Sequence, residues 1–397
     1  MTERLLARLP RGHRALAWLG ILVGIFAFWI ALPPLKVREP IVPLLIGLVA
    51  VGLGIAALRG GVRRLGWGAV SIGVLGIALG YLATRSSETH LDEVIVWSAL
   101  TAAMLRYATP LAFGAMGGIF SERSGVVNIG LEGMMLSGAF FGILGADKLG
   151  SWALGLGCAA LAGGLFALVH AFFAIHLRAD QIVGGTAINL LALGVTGYLF
   201  IDIYGGEGTP PDVSNIPDVH LSFLSDWYFI GPILGQLNLM IWLAFATIVA
   251  TWVVLFKTPV GLRIRAVGEH PRAADTVGIS VYATRYAAVT LSGVLAALGG
   301  AYLSIGFVNS FNQNMTAGRG FIALAAVIFG NWRPWGAAAA ALLFGFSSAL
   351  AQRLPAYSES ASVLFQALPY VLTLIAVAGV IGRSIPPAAV GRPYQKQ

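Results

Sequence analysis

MLRYATPLAFGAMGGIFSERSGVVNIGLEGMMLSGAFFG, residues 104–142, decides how this chain must be folded. It joins two apolar runs, 95–120 and 126–145, through a short polar segment, and each run reaches the roughly 20 residues that a membrane-crossing helix needs. Arg106 is the one basic residue deep within a predicted span, and Glu132 the one acidic residue. Charges in lipid are costly and normally face a bundle interior or a wet cavity. Asn128, Gly130 and Gly133 weaken the helix around Glu132, as Pro110 does in the preceding run. Broken helices at membrane depth expose backbone groups, which is tolerated where they line a cavity. Two readings of Glu132 stay open: a hydrogen-bonding strut that holds the fold, or part of a solute pathway with Arg106, Asn128 and Gly130. At about 1.5 Å per residue, Arg106 and Glu132 lie about 21 Å and about 9 Å above the cytoplasmic edge. A direct ion pair between them would need a further helix break.

The same pattern extends outward from this stretch. Only 11% of the 397 residues are charged and 57% are hydrophobic, with a mean hydropathy of +0.82. Soluble domains carry about 25% charged residues, so a water-soluble fold is excluded. Spans are expected at 15–32, 41–58, 66–83, 95–120, 126–145, 151–175, 181–204, 236–256, 285–307, 318–331, 335–351 and 364–382. The fold class is therefore an all-α polytopic membrane protein with about 12 segments, some broken; 318–351 reads as two crossings or as a re-entrant pair. The first span has no clear small-x-small cleavage site after it and reads as a retained anchor.

Orientation follows from the Lys/Arg excess of cytoplasmic loops. With both termini inside, 18 of the 25 basic residues fall on or beside inside segments and 6 outside. The +8 net charge is thus a topology signal, and a nucleic-acid partner is not expected; the partner surface is a lipid bilayer. Residues 1–94 form an N-terminal appendage of about three spans, 95–382 the working core, and 383–397 a cytoplasmic tail. The core carries an outer loop, 205–235, rich in Gly, Pro and Asp, and a basic inner loop, 257–284.

Function narrows first by elimination. One cysteine, Cys158, permits no intrachain disulfide, and the six histidines are dispersed, so no metal site is expected. A phosphate-binding loop needs Gly-Lys-Ser/Thr. None of the four lysines, 36, 148, 257 and 396, follows a glycine. No cofactor is expected in this chain, and no ATPase site. Asn309, Asn312, Gln313 and Asn314 cluster at an outer edge beside Gly318 and Gly320, as an outer vestibule or a solvated turn. Gly114-x-x-x-Gly118 and Gly138-x-x-x-Gly142 are read as intrachain packing faces. In the inner loop, Pro271 suits the first turn of a helix running to Val277 and ended by Gly278. Ala273, Ala274 and Val277 would share one small apolar face flanked by Arg272 and Asp275, either a surface turn or a protein contact.

The stretch FSERSGVVNIGLEGMM (120–135) resembles the signature of the permease family serving branched-chain amino acids, simple sugars and nucleosides. More narrowly it is similar to one of the two unlike permeases of bacterial nucleoside importers that depend on a basic membrane lipoprotein. ADQIVGGTAINLLALG (179–194), TPVGLRIRAVGEHPRAADTVGI (258–279) and AGRGFIALAAVIFGNWRPWGA (317–337) share its character and order. The resemblance covers about 95–382. It implies an inner-membrane permease subunit that pairs with a second permease and a cytoplasmic ATP-binding-cassette ATPase, which consumes the ATP. An extracytoplasmic substrate-binding lipoprotein would deliver the solute, a nucleoside. It also implies a coupling helix within 267–279, with Glu269, His270, Pro271, Arg272, Ala273, Ala274 and Gly278 meeting the ATPase. The chain departs from the pattern at His270, where Asn is expected, and in the length of residues 1–90. The alternatives are a sugar or branched-chain amino-acid permease, a proton-coupled secondary transporter using Glu132, and a membrane enzyme or structural protein.

Overall fold

Only a helix satisfies every backbone N–H and C=O of a segment without outside help, so apolar runs of this length fold as helices. The computed structural model describes residues 11–31, 37, 39–85, 96–205, 208–210, 212–225, 227, 230–353 and 384–396. Eleven of the twelve predicted segments fall on helices; the twelfth, 364–382, lies outside the described residues. In order these are α1 (Arg11–Trp29), α2 (Ile41–Arg59), α3 (Arg63–Arg85), α4 (Trp97–Arg123), α5 (Leu131–Leu149), α6 (Trp152–Ala171) and α7 (Gln181–Tyr204). The short strands β1 (Asp218–His220) and β2 (Gln236–Asn238) follow, then α8 (Leu239–Lys257), α9 (Pro259–Glu269), α10 (Pro271–Thr276), α11 (Val281–Ala301), α12 (Arg319–Phe329) and α13 (Pro334–Arg353).

Eight segments among the described residues are long and apolar enough to cross a membrane: α1, α2, α3, α6, α7, α8, α11 and α13, with α6 and α11 counted to the ends of their extensions. The chain is a multi-pass membrane protein. Helices α4 and α5 are as long, but α4 carries Arg106, Glu122 and Arg123, and α5 carries Glu132, Asp147 and Lys148. Two helices end in wider π-turns, α6 at Phe172–His176 and α11 at Tyr302–Val308. Such turns recur at functional sites. At 11 residues, α12 rises only about 16 Å and cannot span a bilayer alone, whereas α13 is long enough.

The chain divides into two compact units. One comprises residues 1–100 and 347–383, and within it α1, α2 and α3 pack against one another. The other comprises 101–346 and 384–397, and here α5 is the buried centre, packed by α6, α7 and α11. Its closest crossing explains one glycine pair: a Cβ at Gly138 would collide with the Ala297 backbone, and Gly142 faces Ala301. Phe140, Phe200 and Phe311 meet edge to face at 5.1 and 5.3 Å beneath the outer loop. That loop folds back through the β1–β2 hairpin, registered Asp218↔Asn238. Asn238 caps α8 at the Met240 N–H (3.1 Å) and donates to the Ile216 carbonyl (3.0 Å). The Ile216 N–H donates in turn to the Ile305 carbonyl at 2.9 Å, one of the last carbonyls of a helix end that otherwise lacks a partner.

The Lys/Arg distribution gives a direct expectation for topology. A reporter fused after Lys257 should read as cytoplasmic and one after Asp212 as extracytoplasmic, since a threefold charge bias is a strong orientation signal. Both reporters on one side would contradict the arrangement.

Candidate functional site

The FSERSG stretch ends α4 with a knot of serine hydrogen bonds. Ser121 Oγ donates to the Val126 carbonyl (2.8 Å), Ser124 Oγ to the Ser121 carbonyl (2.7 Å), and Gly125 takes a φ of +94°. A side chain is strained there, which fixes glycine at the turn. The next helix begins at Leu131, not at 126 as the apolar run suggested. The intervening backbone is held by side chains from afar. Gln181 Oε1 accepts from the Val127 N–H (2.8 Å), and His170 Nε2 meets the Val127 carbonyl (3.0 Å). Asn189 donates to the Ile129 carbonyl (3.0 Å) and accepts from the Gly133 N–H (2.8 Å). Since a carbonyl only accepts, His170 carries its proton on Nε2. Asn128 is wholly buried and donates to Ser292 Oγ (3.0 Å), while Gly130 packs beside Ile188 and Met134.

Glu132 stands in the first turn of α5 and is 8% exposed. Its carboxylate accepts three hydrogen bonds: from Thr316 Oγ1 (2.6 Å), the Gly318 N–H (2.8 Å) and the Gly320 N–H (2.6 Å). The acid therefore caps the N-terminus of α12, where free N–H groups and the helix dipole favour a negative charge. A Cβ at residue 320 would lie 2.5 Å from the Glu132 Cα, so glycine is required for the approach. Arg106 does not join this cluster. It is exposed on α4 within Coulombic reach of Tyr302, and among the described residues it has no ion-pair partner. Beside it Tyr107 meets Phe307 edge to face at 5.4 Å. Two residues on, Asn309 ends the π-turn in the left-handed region (φ +58°), exposed like Asn312.

Two groups escaped the sequence reading. Glu122 lies inside α4 and is buried, accepting a short hydrogen bond from Trp332 Nε1. Its neighbour Arg123 donates from Nε to the Trp332 carbonyl (3.1 Å). Together they grip the turn between α12 and α13. Their place at the edge of an apolar run looked like a solvated boundary, and Trp332 is more than 200 residues away. Helix α9 was likewise unread, although Thr258, which accepts from the Gly261 N–H (3.3 Å), and Pro259 at its first turn form an ordinary start.

On the inner loop the expected short helix is present as α10, followed by Gly278 at φ +83°. The shared apolar face is not. Ala274 is buried with Val267, Val281 and Tyr394, whereas Ala273 is exposed and Val277 is 74% exposed. A helix of six residues cannot turn all three outward once one of them seals the interior. Glu269 and His270 are exposed ahead of it, and Glu269 accepts from the Ala388 N–H (3.1 Å). Tyr394 donates to Asp275 (2.8 Å). Burial and that hydrogen bond hold the Tyr394 hydroxyl above its ordinary pKa, so it remains a donor.

Comparison with known proteins matches residues 100–377 to the family described as branched-chain amino acid transport system / permease component. The guanosine ABC transporter permease protein NupQ of Bacillus subtilis is 45% identical over 326 residues, covering 77% of this chain and 99% of the relative. The nucleoside ABC transporter permease protein NupC of Lactococcus lactis is 43% identical, with the same coverage of each chain. A putative glucose ABC transporter permease protein of Haloferax volcanii is 35% identical over 64% of this chain and 78% of its own. No solved structure matches the chain.

Proposed function

The chain belongs to the branched-chain amino acid transport system / permease component family, and from that premise we propose that it is the permease subunit of a bacterial inner-membrane importer, forming the path for a nucleoside. The observation that carries this reading is the match to two permeases named for guanosine and nucleosides over nearly all of their length. The subunit works within an ABC transporter complex. Its finer composition is a second permease, a cytoplasmic ATPase that uses the ATP, and an extracytoplasmic substrate-binding lipoprotein. This chain takes no cofactor of its own. The transport work lies in 95–382, and 1–94 is an appendage outside the family match.

Within the core, Arg106, Asn309 and Asn312 line the path. A guanidinium exposed partway along an apolar helix is tolerated only against water or protein, and the Tyr107–Phe307 pair beside it offers aromatic surface on which a base can stack. Asn128, Gly130 and Glu132 are internal, and they serve the path by fixing where α5 and α12 begin. The glucose permease among the relatives favours a sugar as the second reading. Uptake of labelled guanosine by cells expressing the complete importer separates the two. Unlabelled nucleosides should compete at least about tenfold better than glucose or leucine, a difference of about 1.4 kcal/mol. Competition by glucose alone would transfer the assignment to sugars.

A further inference from the structure

The chain end at 384–396 is bound along its length to the surface made by α9 and α10. The Ile385 N–H donates to Asn331 Oδ1 (3.0 Å), and the Ala388 N–H to Glu269 (3.1 Å). The Ala389 N–H reaches the Gly268 carbonyl (2.9 Å) and the Gly391 N–H the Gly125 carbonyl (3.2 Å). Arg285, 1% exposed, donates to the carbonyls of Ser124 (3.2 Å) and Arg392 (3.2 Å). Tyr394 bonds Asp275 and packs edge-on to Tyr282 at 5.7 Å. The segment is thus tied to α9, α10, α11, the 124–125 turn and the α12–α13 turn. Contacts on this scale must outweigh the entropy of ordering the chain, which a plain solvated tail would retain.

The bound segment leaves an open cleft of about 590 Å³ between itself and the start of α10. Glu269, His270, Pro271 and Arg272 form one side, and Arg392 and Tyr394 lie on the other. Its charge is unbalanced. Two guanidiniums share the cleft with one carboxylate, Glu269: Arg272 and Arg392 are exposed and, among the described residues, neither is paired with a carboxylate. The cleft therefore suits a negatively charged occupant, and its wall at Glu269–Arg272 belongs to the stretch for which the family resemblance implies ATPase contact.

We propose that residues 385–395 form half of the ATPase-docking surface, closing a basic cleft with Glu269–Arg272 that receives an acidic segment of the cytoplasmic ATPase. The proposal rests on the permease reading and adds a second wall to the coupling surface. The tail acts there in two ways. Its amides hold α9, and through Tyr394 α10, at a fixed angle to the membrane helices, and Arg392 supplies charge to the incoming partner.

The test is capture of the cognate ATP-binding-cassette ATPase, co-expressed with the permease and purified in detergent. Arg392→Glu changes an exposed side chain, and the Arg392 carbonyl that Arg285 uses is untouched. It should lower capture at least about tenfold, and wild-type capture should weaken as salt is raised from 0.1 to 0.5 M, as screening requires. Truncation after Pro386 should lower it further, with the permease still in the membrane fraction. If Arg392→Glu and the truncation both capture ATPase as the wild type does, while Ala273→Glu does not, docking runs through α10 alone and the proposal is overturned, with the permease reading intact. If the wild type captures none, the two fall together.

Discussion

The Glu132→Gln protein is expected to reach the membrane in normal amounts and to lose solute uptake by at least about tenfold. The carboxylate accepts from Thr316 Oγ1 and from the Gly318 and Gly320 N–H groups, using both oxygens. Glutamine has one acceptor oxygen, so its NH₂ must face a donor on one side. A buried N–H left without an acceptor costs about 1–3 kcal/mol, and losing an anion at a helix N-terminus adds up to about 2 kcal/mol. Acting together they exceed the about 1.4 kcal/mol that shifts the start of α12 by a decade in population. Leu131, Met134 and Met135, buried in the same helix, keep α5 in place, so insertion should survive. Uptake at the wild-type rate, measured beside membrane yield, would show that the position of α12 is irrelevant to transport.

The second large effect concerns coupling. Ala273→Glu should abolish ATPase capture and uptake together while leaving the permease folded. Ala273 is exposed on α10, so the added carboxylate meets water in the free protein. In the docked complex it would be buried without a partner, which costs several kcal/mol. About 3 kcal/mol is about a hundredfold in association. Ala274→Glu should behave differently, because Ala274 is sealed against Val267, Val281 and Tyr394. A charge there attacks the fold itself, and reduced membrane yield is the expected result. The contrast distinguishes a lost interface from a damaged protein. Normal ATPase capture by Ala273→Glu would remove α10 from the coupling surface.

The membrane fold was legible because its signal is local: a run of 20 apolar residues needs no knowledge of its neighbours. The break at 126–130 was only half legible. Asn128, Gly130 and Gly133 marked weakness, but the groups that hold the segment open are Gln181, His170 and Asn189, some 40 to 60 residues onward. Glu132 was picked out for its charge, while its partners at 316, 318 and 320 gave no sign in the sequence. The tail was read as a plain appendix to the core. Its attachment runs mainly through backbone amides, and these leave no trace in side-chain pattern. Ala274 failed as an outward contact for a related reason. Small residues suit both an interface and a tight interior, and the closing of Val267, Val281 and Tyr394 around Ala274 decides for the interior.

Solute movement through this chain is expected to be driven by ATP spent on another subunit. Proteoliposomes holding the permease with its ATPase and the proposed second permease and binding lipoprotein, supplied with labelled guanosine, test this most directly. Accumulation should require ATP with Mg²⁺, stop when the ATPase is omitted, and persist when a protonophore collapses the proton gradient. Guanosine accumulation by the permease alone under a proton gradient, abolished by the protonophore and indifferent to ATP, would contradict an ATP-driven importer and favour the proton-coupled alternative that uses Glu132.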